Sequence, residues 1–315
     1  MAMAARPLLS RLEITMLVLF TVILALYIYM FYQWCNVLKV ERAVRNAWTS
    51  AEMCDVQDCH ITRVDVLWGL HHASAAYDPK VARTLIEFVA RLNILKAATE
   101  QPTTPSGYTL VKTFQPAGGP VFMGVWRCSS EDALVVACRA TSTEDEVRKD
   151  LMFEQDKWRP PAAQRDVMVH RGFLQVHQSY APLVAAVIDA EKPKHIYVTG
   201  HSLGGTTATL LAMQHGSMRA VSGYVFGCPN TGDDACDEYI RQHCPGFWRV
   251  SNRADIITQM PPRVTPSFND PDRIMFYAPV GQEHSFDDNW KSMRNNHFVP
   301  LYVNQLEKEI GDSTP

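Results

Sequence analysis

The sequence predicts an α/β fold, with a mostly parallel central sheet that has helices on both faces. Two observations predict this class. Short apolar runs typical of buried strands alternate along the chain with segments of helical periodicity. In addition, one such run leads through a glycine-rich turn directly into a helix, which is how parallel strands are connected. The chain has 315 residues, 47% of them hydrophobic, which is enough to bury one sizeable core.

The charge and the cysteines exclude few classes of protein. A net charge of −3 gives no indication of a nucleic-acid partner. The eight cysteines form no Cys-x-x-Cys pair and no zinc-binding spacing, so we expect no metal. Two pairs, Cys54 with Cys59 and Cys236 with Cys244, could form disulfides in an oxidising compartment. Scattered buried thiols fit the pattern equally well, and the compartment stays open.

The N-terminal region contains a predicted transmembrane helix. Residues Ile14–Trp34 carry no charge, and as a helix they extend about 31 Å, which matches a hydrocarbon core of roughly 30 Å. Aromatic side chains gather at the C-terminal end of this run, where rings favour the membrane interface: Tyr27, Tyr29, Tyr32 and Trp34. A cleaved signal peptide and a buried helix are the alternatives. The apolar run is too long for a signal peptide, and no small-x-small cleavage site follows it.

The span divides the chain into four regions: a tail over residues 1–13, the transmembrane helix 14–34, a polar juxtamembrane segment 35–60 and a folded domain 61–315. Basic residues are almost balanced on its two sides, with Arg6 and Arg11 before it and Lys39, Arg42 and Arg45 after it. We therefore expect a single-pass membrane protein, and the side that the folded domain faces is not predicted.

The folded domain begins with helical periodicity over Val64–Ala97, broken at Asp78–Pro79. In the second half the apolar side chains recur at helical spacing, which predicts an amphipathic helix packed on the core: Val81, Leu85, Phe88, Val89, Leu92 and Leu95. Strands are predicted at Tyr108–Phe114, Val121–Arg127 and Ala133–Cys138. A polar turn joins the last two, which is typical of a hairpin.

A strand at His195–Val198, preceded by helical residues Val184–Ala190, leads into Gly200-His201-Ser202-Leu203-Gly204-Gly205. The residues after this run, Thr206–Met213, read as a helix. A serine between a strand and a helix in a G-x-S-x-G turn is a nucleophile elbow, because the glycines permit a strained turn that exposes the serine hydroxyl above the sheet. The alternative is an ordinary glycine-rich turn.

A serine nucleophile requires a base, and the base requires an orienting carboxylate. In this architecture the order along the chain is serine, acid, histidine, each in a loop after a strand. Two strand-like runs follow the elbow, Gly223–Phe226 and Trp248–Ser251, and Asp255 is the one acidic residue placed directly after a predicted strand in that interval. We therefore select Asp255. Other acids of the interval read as helix-start or solvent-exposed residues: Asp233, Asp234 and Asp237.

Four histidines follow Ser202 in the sequence. His215 lies in the helix after the serine, too near to reach back over it, and His243 lies at a helix end before the next strand. His284 and His297 remain as candidate bases. His297 is preferred because it opens the last helix, where the base of such a site usually lies.

The chain resembles the class 3 lipases, an α/β-hydrolase family that includes fungal triacylglycerol lipases and diacylglycerol lipases. The resemblance covers roughly Tyr108 to Tyr302. It rests on motifs in the family's order: Arg139-Ala140-Thr141 after the strand Ala133–Cys138, Val169-His170-Arg171-Gly172-Phe173, Gly200–Gly205, Phe226-Gly227-Cys228-Pro229-Asn230-Thr231-Gly232, Asn252-x2-Asp255, Met260-Pro261-Pro262 and His297. It implies an α/β-hydrolase fold with Ser202 as nucleophile, Asp255 as acid and His297 as base, in agreement with the choices above.

The resemblance also implies an oxyanion hole formed by the backbone N–H of Leu203 and by Thr141. Thr141 fills the hydroxyl position of the family's Phe-Arg-Gly-Ser/Thr motif, which reads Cys-Arg-Ala-Thr here. If the turn requires a positive φ at Ala140, the donor geometry is strained. His170 and His177 have no acid or thiol ligands near them in sequence, so we expect them to pack rather than to bind metal.

The family places a mobile lid after the oxyanion residue, which corresponds here to Ser142–Met168. Val147, Leu151 and Trp158 recur at helix-compatible spacing among many charged residues. They predict either a solvated surface helix or an amphipathic lid that opens against lipid.

Together these features predict a membrane-anchored serine lipase that forms an acyl-enzyme on Ser202 and requires no cofactor. A membrane-tethered domain fits a lipid substrate, either an acylglycerol or a phospholipid. Three alternatives remain: a phospholipase A1, a carboxylesterase for small esters, and a non-catalytic lipid-binding protein. The last has only Ala140 in its favour.

Overall fold

A computed structural model describes residues 76–142, 153–267, 269–270 and 272–312. The predicted transmembrane helix 14–34, the flanking segments and residues 64–75 of the periodic region Val64–Ala97 lie outside these residues. Among the helices that the structure describes, none is both long and apolar enough to cross a membrane.

Seven strands of the described chain form one sheet. In their order across the sheet, the strands are β1 (Tyr108–Phe114), β2 (Met123–Cys128), β3 (Ala133–Cys138), β6 (His195–His201), β7 (Ala220–Phe226), β8 (Gly246–Asn252) and β11 (Gln282–Phe286). β1, β2 and β3 pair antiparallel, and every later neighbour in the sheet pairs parallel, with Val136 opposite Val198 between β3 and β6. The predicted α/β class with a mostly parallel sheet is confirmed.

Helices cover both faces of this sheet. They are α1 (Pro79–Asn93), α2 (Arg171–Glu191), α3 (Leu203–His215), α4 (Asp234–His243), α5 (Met293–Asn296) and α6 (Val299–Asp312). Successive side chains of a strand point to opposite faces, so Leu134 and Val136 of β3 pack in one apolar core with α2 and α3. Val135 and Ala137 pack in a second core with α1 and α6.

The break predicted at Asp78–Pro79 is the start of α1. The Asp78 carboxylate accepts hydrogen bonds from the backbone N–H groups of Lys80 and Val81, and Pro79 occupies the first helical position, where no N–H is needed. The helix ends at Asn93, four residues before the predicted end.

Five strands were not predicted as strands by the sequence pattern: β4 (Gln155–Trp158), β5 (Val167–His170), β9 (Val264–Pro266), β10 (Ile274–Phe276) and β11. β4 pairs antiparallel with β5, so Trp158 lies in a strand and its assignment to a helix was wrong. The polar residues of β4 give no alternating pattern, and its structure depends on pairing with β5. The other two residues of the predicted lid helix, Val147 and Leu151, lie outside the described residues.

The disulfide alternative does not apply to Cys236 and Cys244, whose thiols are free and buried. The other candidate pair, Cys54 and Cys59, lies outside the described residues.

Two buried histidines lie on α2 and α3. Burial lowers the pKa of His177 to about 4, against a hydrogen bond with Gln214 that raises it, and a charge on His215 would lower it further. Burial likewise lowers the pKa of His215 to about 4, and Arg219 adds to the shift. Both histidines are therefore neutral in the folded protein at neutral pH.

These pKa values predict that acid destabilises the fold. Between about pH 6.5 and 4 the unfolded chain binds more protons at these two positions than the folded chain, so the free energy of unfolding falls as the pH falls through this window. The full loss is up to roughly 3 kcal/mol for each histidine. Urea unfolding of the full chain as a function of pH measures it, and His177→Phe should weaken the dependence. His243→Phe, at a half-buried histidine of α4, is the control; equal slopes in all three proteins would contradict the prediction.

Candidate active site

The backbone is strained at Ser202, which lies between the end of β6 and the start of α3 with φ 56° and ψ −125°. A positive φ at a residue with a side chain costs of order 1–3 kcal/mol. Packing keeps the turn in place. A Cβ atom on Gly200 would overlap the carbonyl of Gly204, and one on Gly204 would overlap the carbonyl of Arg139. The glycines therefore provide the close helix–strand contact, and the strained φ belongs to the serine itself.

The structure brings Asp255 and His297 together. Asp255 follows β8 at the start of a 3₁₀ turn (Ile256–Gln259) and is fully buried. Its Oδ2 lies 2.7 Å from Nδ1 of His297. Because a carboxylate only accepts hydrogen bonds, Nδ1 carries the proton and Nε2 of a neutral His297 is left as an acceptor. Within the described residues this Nε2 is buried without a hydrogen-bond partner. A histidine in this tautomer can take a proton from a serine hydroxyl.

Two further donors hold the Asp255 carboxylate. The hydroxyl of Tyr302 in α6 donates to Oδ2 at 2.7 Å, and the backbone N–H of Ile257 donates to Oδ1 at 3.0 Å. Burial raises the pKa of Tyr302 well above its ordinary value, and the charge of Asp255 raises it further, so the hydroxyl stays protonated. The sequence analysis did not identify Tyr302. The available signal was its position, five residues after His297 in the helix that the histidine precedes.

Gly227 lies against this cluster of side chains, directly after β7. Its φ is +54°, and an added Cβ atom would lie 3.1 Å from Nε2 of His201, 3.1 Å from Cε1 of His297 and 3.2 Å from Oδ2 of Asp255. Both the conformation and the tight contacts therefore favour glycine at this position. The sequence showed it only as one residue of a turn.

The end of β3, which leads to the predicted oxyanion residue Thr141, packs on the first turn of α3. Gly204 contacts the carbonyls of Cys138 and Arg139, and Leu203 is the first residue of α3. Ala140 is not among the positive-φ residues of the described chain, so the strain considered for it is absent. Its N–H donates to Oδ1 of Asn93 at 2.9 Å.

The structure pairs the other candidate base, His284 of β11, with a different carboxylate. Its Nε2 lies 3.0 Å from Oε1 of Glu309, and its ring stacks on Tyr77 with centroids 3.7 Å apart. His170 is fully buried and caps α2, where its Nδ1 accepts from the N–H of Phe173. Of the four histidines that follow Ser202, the structure brings His297 to Asp255.

Comparison with known proteins finds matches to lipases. A family model described as Lipase (class 3) matches residues 135–265. The lipase of Rhizomucor miehei is 33% identical over 193 residues, which are 58% of this chain and 48% of the relative. The secreted mono- and diacylglycerol lipase 1 of Fusarium solani is 32% identical over 101 residues, 30% of each chain. The matches therefore span less than half the length of these curated relatives.

The solved structures that match this chain include further lipases. The crystal structure of Lip2 lipase from Yarrowia lipolytica matches with a TM-score of 0.49 and 19% identity, over 67% of this chain and 80% of that one. Lipase II from Rhizopus niveus matches with a TM-score of 0.42 and 24% identity, over 51% of this chain and 65% of that one.

We predict that Gly227→Ala slows the labelling of Ser202 by a fluorophosphonate by about 100-fold or more, because the added methyl group displaces His297 or Asp255. The matched control is Gly118→Ala. Gly118 also has a positive φ, +72°, but an added Cβ atom there would meet nothing within 4 Å. This control has the same kind of backbone strain without the crowding. Equal labelling rates in the two variants would show that the space at Gly227 does not matter.

Proposed function

We propose that the chain, which the class 3 lipase model matches over residues 135–265, is a serine lipase of that family and hydrolyses the carboxylic ester bonds of acylglycerols. The observation that carries the proposal is the buried Asp255–His297 pair beside the strained turn at Ser202. The choice of acylglycerols is supported by the name of the Fusarium solani relative, which describes a mono- and diacylglycerol lipase.

In the proposed mechanism His297 Nε2 takes the proton of the Ser202 hydroxyl while Oγ attacks the acyl carbonyl. The backbone N–H of Leu203, together with Thr141, stabilises the oxyanion. His297 then gives its proton to the leaving alcohol, and an acyl-enzyme forms on Ser202. Water releases the fatty acid by the same steps, and the histidine again acts first as base and then as acid.

Asp255 remains ionised throughout this mechanism and stabilises the imidazolium that forms at His297 in each step. The hydrogen bonds from Tyr302 and Ile257 support this role, because they hold the carboxylate in a single orientation. The ordinary backbone at Ala140 removes the one feature that favoured a non-catalytic protein.

We further propose that the uncharged run Ile14–Trp34 anchors the enzyme to a membrane as a single transmembrane helix. The support is its length and its aromatic C-terminal end. A tethered enzyme of this kind would act on lipid within reach of the same membrane. The near balance of flanking basic residues leaves the side of the catalytic domain undetermined.

The proposed activity predicts that the full chain in detergent micelles releases fatty acid from a diacylglycerol, and that Ser202→Ala lowers this rate by about three to six orders of magnitude. Ser222→Ala, at a buried serine of β7, should retain the wild-type rate. Measuring fatty-acid release from phosphatidylcholine in the same micelles tests the choice of substrate. Faster release from phosphatidylcholine would favour a phospholipase, and a Ser202→Ala rate equal to that of the wild type would contradict the mechanism.

The membrane anchor predicts that the chain stays in the membrane pellet after an alkaline carbonate wash, because a spanning helix is not released by charge disruption. Release of the whole chain into the supernatant would contradict the anchor. Protease treatment of sealed vesicles then shows on which side the catalytic domain lies.

A further inference from the structure

A second histidine, His201, contacts the proposed base. It is the last residue of β6, it directly precedes Ser202, and its side chain is 3% exposed. Its Nε2 lies 2.7 Å from the main-chain carbonyl oxygen of His297. A carbonyl oxygen only accepts hydrogen bonds, so Nε2 of His201 carries the proton and donates it to that oxygen.

The surroundings of His201 keep it in this state. Burial lowers the pKa of His201 well below its ordinary value, and a charge on His297 lowers it further. The ring is therefore neutral, with one proton, and Nδ1 is unprotonated. In the part of the chain that the structure describes, this Nδ1 is buried without a hydrogen-bond partner. The one proton that the ring carries is thus donated to His297.

The rings of His201 and His297 also pack against each other. Their centroids are 4.5 Å apart at an angle of 37°, and the edge of the Tyr302 ring contacts His201 with centroids 5.9 Å apart. Gly227 closes the remaining side, since an added Cβ atom there would lie 3.1 Å from Nε2 of His201. The ring therefore fills a confined space beside the base.

His297 is consequently held at two separate points. Asp255 holds its side chain through Nδ1, and His201 holds its backbone through the carbonyl. The preceding carbonyl, of Asn296, accepts a hydrogen bond from the side chain of Asn252 at 3.2 Å. Because His201 and Ser202 are covalent neighbours, the contact from His201 is the one that ties the backbone of the base to the residue next to the nucleophile.

We propose that His201 is a positioning residue for the reaction: its Nε2–H holds the backbone of His297 at a fixed distance from Ser202, so that His297 Nε2 meets the serine hydroxyl during each proton transfer. This inference rests on the proposed function. Its size follows from the sensitivity of catalysis to geometry, since a misplacement of about 1 Å can cost around 100-fold in rate.

The test compares three variants of the full chain in detergent. His201→Gln keeps a donor near the position of Nε2, whereas His201→Phe keeps the ring and loses the donor. His201→Met loses both. On a soluble short-chain ester we expect kcat to fall by about 10- to 100-fold in the Phe and Met variants, with KM nearly unchanged. His201→Gln should restore most of the lost kcat. His215→Phe, at a buried histidine of α3, is the control and should keep the wild-type kcat.

Thermal unfolding of each variant separates positioning from folding. Wild-type kcat in folded His201→Phe, or equal losses in the Gln and Phe variants with unchanged melting temperatures, would overturn the inference. A rescue by Gln that restores kcat but leaves the melting temperature lowered would support it, because a purely structural role predicts that both recover together.

A measurement on the wild-type chain tests the inference without any variant. Nitrogen-15 NMR of histidine-labelled protein should show His201 in the Nε2–H tautomer, and an Nδ1–H tautomer would overturn the positioning role. This result is independent of activity. A wild type that neither hydrolyses esters nor labels at Ser202 would overturn the proposed function, whereas an active wild type with an unaffected His201→Phe would overturn only the role of His201.

Discussion

The hydrogen bond between Asp255 and His297 is the interaction on which the rest of the site depends. A fully buried carboxylate is costly unless donors satisfy it. Here the donors come from three places: the side chain of His297, the hydroxyl of Tyr302 and the N–H of Ile257. The buried charge therefore joins the end of β8 to the loop before α6 and to α6 itself. If any one donor were lost, only two would remain to stabilise the buried charge. The segments that carry the three donors therefore have to be in place together.

A second constraint acts on the other side of the site, at Ser202. Its strained backbone is maintained by contacts that leave no room for a Cβ atom at Gly200 or Gly204. The rigid parallel strands on both sides of β6 make this packing possible. His201 links the two constraints, because it belongs to the strand that carries the nucleophile and donates to the backbone of His297. The geometry of the three proposed catalytic residues is thus determined by the sheet and by two buried histidine contacts.

The sequence predicted the elements that bury apolar runs. The bounds of β1 and β3 coincide with the predicted strands. All six residues of β3 are buried, and an apolar run of this kind between turn residues is a local signal. β4 and β11 contain mostly polar residues and depend on pairing with distant strands, so no local pattern identified them. Ser202, Asp255 and His297 could be proposed because the first two directly follow strands, the third lies just before the last helix, and the order along the chain is a known one. Three further residues of the site have roles that depend on contacts formed only in the folded chain. In the sequence, Tyr302 looks like a core residue, His201 like one residue of the serine motif and Gly227 like a turn glycine.

The most direct test of this account is a crystal structure of the chain after reaction with a fluorophosphonate. The account predicts phosphorus bonded to Oγ of Ser202, with Nε2 of His297 within hydrogen-bond distance of that oxygen and the phosphoryl oxygen facing the N–H of Leu203 and Thr141. Asp255 should still contact Nδ1 of His297. An adduct on another residue, or a His297 whose Nε2 points away from Ser202, would contradict the central claim that these three residues form one catalytic unit.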